Sequence, residues 1–308
     1  AVRSDRSFGQ RRREFRSRLV GRLARRSLDE VNTLEVAGGG ELYRANASIT
    51  DFVLDRNAAE VSTTWSHSAP YAAWSWRVRY SGFARVFPDS ADRDHFEHHT
   101  QISLDWSGLS AAVSALAEVE RRLPRRIVYS TRDAYWASQG ELGVTLRPGR
   151  WGSAEIALST EGFRYELPDS VSYFDYRLAR GRLGGRFDLP SGYTVTASPQ
   201  GEVLTAQASP GERYFEWGGT LDVERSLGEA WWSFSPRAGV RRYTAVGDVA
   251  LLSGHSDYRY FELQVLLDQA LPWRCRARLS ATMRFEKHHN PAQDARSLYF
   301  SVDLRRLL

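Results

Sequence analysis

Residues Trp273 to Glu286 read W-R-C-R-A-R-L-S-A-T-M-R-F-E, with apolar and polar positions alternating along the whole stretch. Trp273, Cys275, Ala277, Leu279, Ala281, Met283 and Phe285 fall on one face, and Arg274, Arg276, Arg278, Ser280, Thr282, Arg284 and Glu286 on the other. Successive side chains point to opposite sides only in a β-strand, so this stretch predicts an amphipathic strand. Its length is informative too. Strands in soluble proteins usually run about 5–6 residues, whereas a tilted strand crossing a bilayer needs about 9–11.

Similar segments succeed one another from Glu41 onward. The alternation predicts strands over roughly 41–53, 59–66, 72–86, 95–107, 109–121, 127–147, 150–166, 171–188, 193–207, 212–226, 230–245, 258–270, 273–288 and 297–307, about fourteen in all within a range of about 12–16. Clear examples are Trp74, Trp76, Val78 and Tyr80 against Ser75, Arg77, Arg79 and Ser81, and Phe261, Leu263, Val265 and Leu267. Counted back from the C-terminus, the connections alternate long (289–296), short (271–272), long (246–257) and short (227–229). Pro199 and Pro236 sit inside strand patterns, where the missing N–H predicts a bulge or a weak strand. From Arg11 to about Val31 the pattern differs: Phe15, Leu19, Leu23 and Leu28 recur at spacings of four to five among arginines, which predicts a basic amphipathic helix ended by Ala37-Gly-Gly-Gly40. The expected organisation is a basic segment, 1–40, followed by a β domain, 41–308.

The charge balance refines this division. The chain carries 42 Lys+Arg against 37 Asp+Glu, and the excess is concentrated in the first 26 residues. Mean hydropathy is −0.47, but a wall that spends every second residue on a polar side dilutes that average, so the value does not exclude membrane insertion. No run of about 18 apolar residues occurs, which excludes helical spans. Cys275 is the only cysteine, so neither an intrachain disulfide nor a cysteine-based zinc site can form. The chain opens at Ala1 without an initiator methionine, as expected of a mature chain whose leader has been cleaved.

Taken together, the chain resembles bacterial outer-membrane β-barrels as a class over about residues 41–308. The ending Leu298-Tyr-Phe-Ser-Val-Asp-Leu-Arg-Arg-Leu-Leu308 is similar to their amphipathic final strand, with Leu298, Phe300, Val302 and Leu304 on the oily face. It departs from them in finishing on Leu307-Leu308 where such proteins favour an aromatic residue. The resemblance implies an all-β, transmembrane, antiparallel up-and-down barrel in the outer membrane of a Gram-negative bacterium. Long loops would lie on one rim, with tight turns and the N-terminal helix on the periplasmic side, where the basic segment could also plug the barrel. A soluble sandwich alternates as well, with its apolar face inward. Strand length, strand number, loop asymmetry and the aromatics at strand ends (Tyr71, Trp74, Trp151, Trp231, Trp232, Trp273, Phe300) favour the membrane.

The expected function is a pore or translocation conduit with a polar, arginine-rich lumen. Candidate lining residues are Arg77, Arg79, Arg237, Arg241, Arg274, Arg276, Arg278 and Arg284, which would favour anions unless neighbouring carboxylates cancel their field. A three-residue loop at Leu271-Pro272-Trp273 would set Asp268 across from Arg276 and Glu262 across from Thr282. The alternatives are a non-conducting anchor or scaffold subunit of an envelope complex, and an outer-membrane hydrolase using Ser66-His67-Ser68 or His255-Ser256-Asp257. Arg11, Arg12, Arg13, Arg16, Arg18, Arg22, Arg25 and Arg26 are expected to meet membrane lipid or an envelope partner, and nucleic acid is not an expected partner. His95, Glu97 and His99 share a polar face, but alternate residues lie about 6.5–7 Å apart, too far for both histidines to hold one ion. No metal, cofactor or catalytic residue is therefore expected.

Overall fold

The computed structural model describes residues 2–7, 10–27, 31–45, 56–69, 73–88, 91–125, 134–149, 152–166, 175–206, 209–245, 254–272 and 275–306. The side chains of 2–7, 10–16, Arg18, Ala45, Asp92 and Arg306 are not among them. Its strands are β1 (Val2–Ser7), β2 (Gln10–Arg26), β3 (Asn32–Ala45), β4 (Arg56–Ser68), β5 (Trp74–Val86), β6 (His95–Ser107), β7 (Ala111–Pro124), β8 (Tyr135–Gly149), β9 (Gly152–Tyr165), β10 (Tyr176–Asp188), β11 (Tyr193–Ala206), β12 (Tyr214–Leu227), β13 (Ala230–Tyr243), β14 (Tyr258–Leu271), β15 (Cys275–His288) and β16 (Ala295–Arg306). They form one sixteen-stranded sheet in chain order, and no α-helix occurs among the described residues. Contacts divide the chain into two units, 1–107 with 114–140 and 161–175, and 108–113 with 141–160 and 176–308.

Thirteen of the fourteen expected segments overlap β4–β16 in order; the first, 41–53, meets β3 only over 41–45, its residues 46–53 lie outside the described residues, and β1 and β2 are additional. The expected helix over 11–31 is corrected: residues 10–26 are a strand whose partners run from Glu14↔Ala45 to Arg26↔Thr33. The misreading has a geometric cause. A spacing of four satisfies the helical period of about 3.6, but it is also even, and even spacings keep residues on one face of a strand. Leu19 and Leu23 accordingly share an exposed apolar face with Leu34, Val36 and Leu42 of β3. Leu28 lies outside the described residues. The expected break at Ala37–Gly40 falls inside β3, where glycine is a packing requirement: a Cβ on Gly39 would stand 2.7 Å from the Leu19 carbonyl oxygen.

Neither proline produces a bulge. Pro199 opposes Gly219 and Pro236 opposes Leu263, and the register is the same on both sides of each. Each proline instead interrupts one flank of its strand. The β10–β11 ladder skips from Arg182↔Gln200 to Gly185↔Ala197, and β12–β13 skips from Thr220↔Arg237 to Val223↔Phe234. The β14–β15 register differs from expectation by two residues: Leu271 opposes Cys275, so Asp268 faces Arg278 and Glu262 faces Arg284. A shift of two preserves the faces and changes the partners.

The long connections have a feature that the sequence did not reveal. The aspartate preceding a returning strand accepts a hydrogen bond from the backbone N–H where the outgoing strand ends: Asp94 from Phe87 at 2.7 Å, and Asp175 from Tyr165, Asp257 from Tyr243 and Asp294 from His288, each at 2.8 Å. Backbone bonds continue this lacing between hairpins, from Arg125 N–H to the Asp94 carbonyl at 2.8 Å and from His289 N–H to the Asp257 carbonyl at 2.7 Å. Long loops are thus held at their roots. Asp257→Ala should lower stability by about 1–2 kcal/mol and speed hydrogen exchange at the Tyr243 amide, read by exchange mass spectrometry; unchanged protection would remove the clamp from the account.

Candidate functional site: the polar face

Within each unit the polar face is the covered one. Ser81, Asp94 and His95 are buried in the first unit and Ser198, Glu216, Ser233 and Asp268 in the second, whereas Ile102 is 50% and Trp217 54% exposed. The register places Ser81 and His95, and Ser198, Glu216, Ser233 and Asp268, on the face opposite Ile102 and Trp217, respectively.

In the second unit the polar face of β10–β16 is electrically balanced. Arg180, Arg182, Arg186, Arg237, Arg241, Arg276, Arg278, Arg284 and Arg305 share it, in equal number, with Asp188, Glu202, Glu216, Asp222, Glu224, Glu262, Asp268, Glu286 and Asp303. Many of them are in contact. Buried Asp268 accepts from Arg276 on one oxygen and from Arg278 on the other at 2.9 and 3.0 Å. Glu216, also buried, accepts from Arg241 at 2.6 Å and from the Tyr260 hydroxyl at 2.8 Å, with Arg237 3.8 Å away. Tyr214 donates to Glu202, and Arg241 lies over the Tyr214 ring at 4.0 Å. Arg284 bridges Glu286 at 2.7 Å and Glu262 at 3.2 Å. A carboxylate buried this deeply is tolerated because charged donors replace the water it lost.

The first unit repeats the scheme with histidines. His95 Nε2 is 3.1 Å from Glu97, which also meets Arg85 at 3.3 Å; His99 Nε2 is 2.7 Å from Glu118. Each histidine has its own carboxylate, and no group of three potential metal ligands converges among the described residues. Arg77 and Arg79 lie on the polar face opposite Ser103 and Gln101, and no ion pair holds them among the described residues. Arg22 pairs with Glu35, Arg25 opposes Leu34 on the apolar face, and Arg26 opposes Thr33. The side chains of Arg11, Arg12, Arg13, Arg16 and Arg18, and all of Arg274, lie outside the described residues.

The serine–histidine candidates are placed as follows. His67 Nδ1 is 3.0 Å from the Asn32 side-chain oxygen, and its ring stacks on Trp74 at 4.7 Å, with neighbouring Ser66 on the opposite face. His255 meets Glu212 at 3.0 Å. Ser256 approaches His288 Nδ1 at 3.1 Å, and His288 Nε2 lies 3.3 Å from Glu286, a set with the residue types of a hydrolytic triad. Gln293 donates its amide to the Gly254 carbonyl at 2.6 Å, which turns its side-chain oxygen toward the Ser256 hydroxyl, so Ser256, His288 and Gln293 tie the loop before β14 to the loop after β15.

No family model matches the sequence, and neither does any curated protein. Among solved structures the chain is similar to "Copper transporter OprC", at 10% identity and a TM-score of 0.63 over 96% of this chain. It spans 58% of the length of that protein. It is also similar to "Bacterial polysaccharide outer membrane secretin", at 11% identity and a TM-score of 0.47, covering 97% of this chain and 92% of the other. At such identities the first likeness is one of fold alone.

The two kinds of ion pair should respond differently to substitution. Glu216→Gln strands Arg241 against a neutral partner in a covered position and should cost about 2–4 kcal/mol in a urea titration of the folded protein. Glu262→Gln, at a half-exposed pair, should cost no more than about 1 kcal/mol. Equal losses would contradict the burial difference.

Proposed function

We propose that the sixteen strands close, β16 against β1, into an outer-membrane barrel of a Gram-negative bacterium that acts as a water-filled transport conduit. The observation that carries this reading is the sidedness: apolar side chains such as Ile102, Trp217 and Phe261 stand exposed while Glu216, Asp268 and His95 are buried. A soluble sandwich would reverse that arrangement. Strand number supports an open lumen, because an eight-stranded barrel fills with its own side chains whereas sixteen strands leave an aqueous channel. Fold likeness to a protein titled as a transporter points the same way. On this reading residues 10–26 join the wall, so a plug formed by them loses its main support.

The lumen is rich in arginine, but its wall carries carboxylates in equal number over β10–β16. Field cancellation of this kind leaves weak charge selectivity, which supports a near-neutral conduit over a dedicated anion path. Unboiled samples should migrate differently from boiled ones on a denaturing gel, and the purified protein should give a steady, linear conductance in a planar bilayer. In a salt gradient the reversal potential should lie near zero for the natural protein and move toward anion preference in Asp268→Asn/Glu262→Gln. Electrical silence of correctly folded protein would sink the conduit reading and leave the scaffold alternative.

A further inference from the structure

The apolar face of β10–β16 carries charges of one sign only. Among its described side chains are Arg177, Arg225, Arg242, Arg259, Lys287 and Arg296, and no carboxylate lies on these strands on that side. All but Arg225 lie near the ends that carry the long loops. Arg259 and Lys287 are direct cross-strand partners, with Arg242 one step farther along β13. Like charges placed opposite each other destabilise a sheet, so the fold alone gives no reason for the pair. No ion pair neutralises Arg242, Arg259 or Lys287 among the described residues.

These three line a groove of about 380 Å³ with Val240, Asp257 and His289. Asp257 is the one acid in that lining, and its Oδ1 already accepts from the Tyr243 amide at 2.8 Å. The neighbouring Asp294 is used in the same way by the His288 amide at 2.8 Å. Immediately below the groove the same face turns oily: Phe261 opposes Phe285, and Leu263 opposes Met283. A cationic notch directly above an apolar strip matches an amphiphile with an anionic head and acyl chains, and a free anion would use only half of it.

We propose that this groove binds the phosphate-bearing headgroup of a membrane lipid, with the acyl chains lying along Phe261, Phe285 and their neighbours. The inference rests on the reading that the apolar face meets lipid, and the experiment separates the two. Short-chain phosphatidic acid is titrated into protein folded in neutral micelles, with phosphatidylcholine and inorganic phosphate titrated in parallel and binding followed by calorimetry. Saturable binding of phosphatidic acid alone is expected. It should weaken about 30-fold in Arg259→Gln/Lys287→Gln, taking both cations together. Arg182→Gln/Arg186→Gln, which removes equal charge from the polar face, should leave it unchanged, and Arg259→Lys/Lys287→Arg should preserve it. If the double glutamine variant fails to fold, Arg259→Gln and Lys287→Gln are read singly, each expected to weaken binding about fivefold. Undiminished binding in the glutamine variants, or inorganic phosphate binding as tightly as the lipid, overturns the proposal while leaving the barrel intact. Natural protein that stays soluble and folded without detergent instead removes the membrane reading beneath it.

Discussion

The constraint on which the rest depends is that the sheet covers its charges and exposes its oil. Burying carboxylates such as Glu216 and Asp268 is costly unless each meets charged donors, and both do. Exposing Leu19, Ile102, Trp217 and Leu298 to water is equally unfavourable, and a hydrocarbon environment relieves it. Strand length and the balanced polar face both follow from that inversion. The arginine of the chain thus serves two settings. On the covered face it neutralises carboxylates across strands; on the exposed face of β10–β16 it meets no carboxylate of those strands, and Arg225 there bonds the Tyr193 hydroxyl at 2.9 Å.

Much of the architecture was legible because alternation is insensitive to detail. The spans of β6, β11 and β13 were read to within a few residues from sidedness alone. Residues 10–26 misled because a spacing of four fits helix and strand equally, and an arginine-rich stretch offers few apolar positions to break the tie. The same insensitivity explains the register. Pairing Asp268 with Arg276 rather than Arg278 leaves every residue on its face, so hydrophobic pattern has no power to choose, and only turn geometry decides.

Two features were not legible for a different reason. The aspartates at the loop roots, such as Asp175 and Asp257, bind backbone N–H groups, which every residue has, so no partner pattern marks them in the sequence. The groove around Arg259 and Lys287 arises from strands that meet only after folding. Read along the chain, each cation is one more charged residue near a loop; only the register shows that they sit opposite each other on the oily side.

The measurement that tests the central claim most directly is the environment of single labels on the two faces of β14. With Cys275 changed to serine, single cysteines replace Val265 on the apolar face or Gln264 on the polar face in protein folded into bilayers. Each is probed with a membrane-impermeant thiol reagent, and a fluorophore at each is challenged with quenchers carried on lipid acyl chains. The account predicts that Gln264→Cys reacts and is not quenched, while Val265→Cys is protected and strongly quenched. Equal reactivity at both, or quenching confined to position 264, would contradict an apolar face turned to lipid.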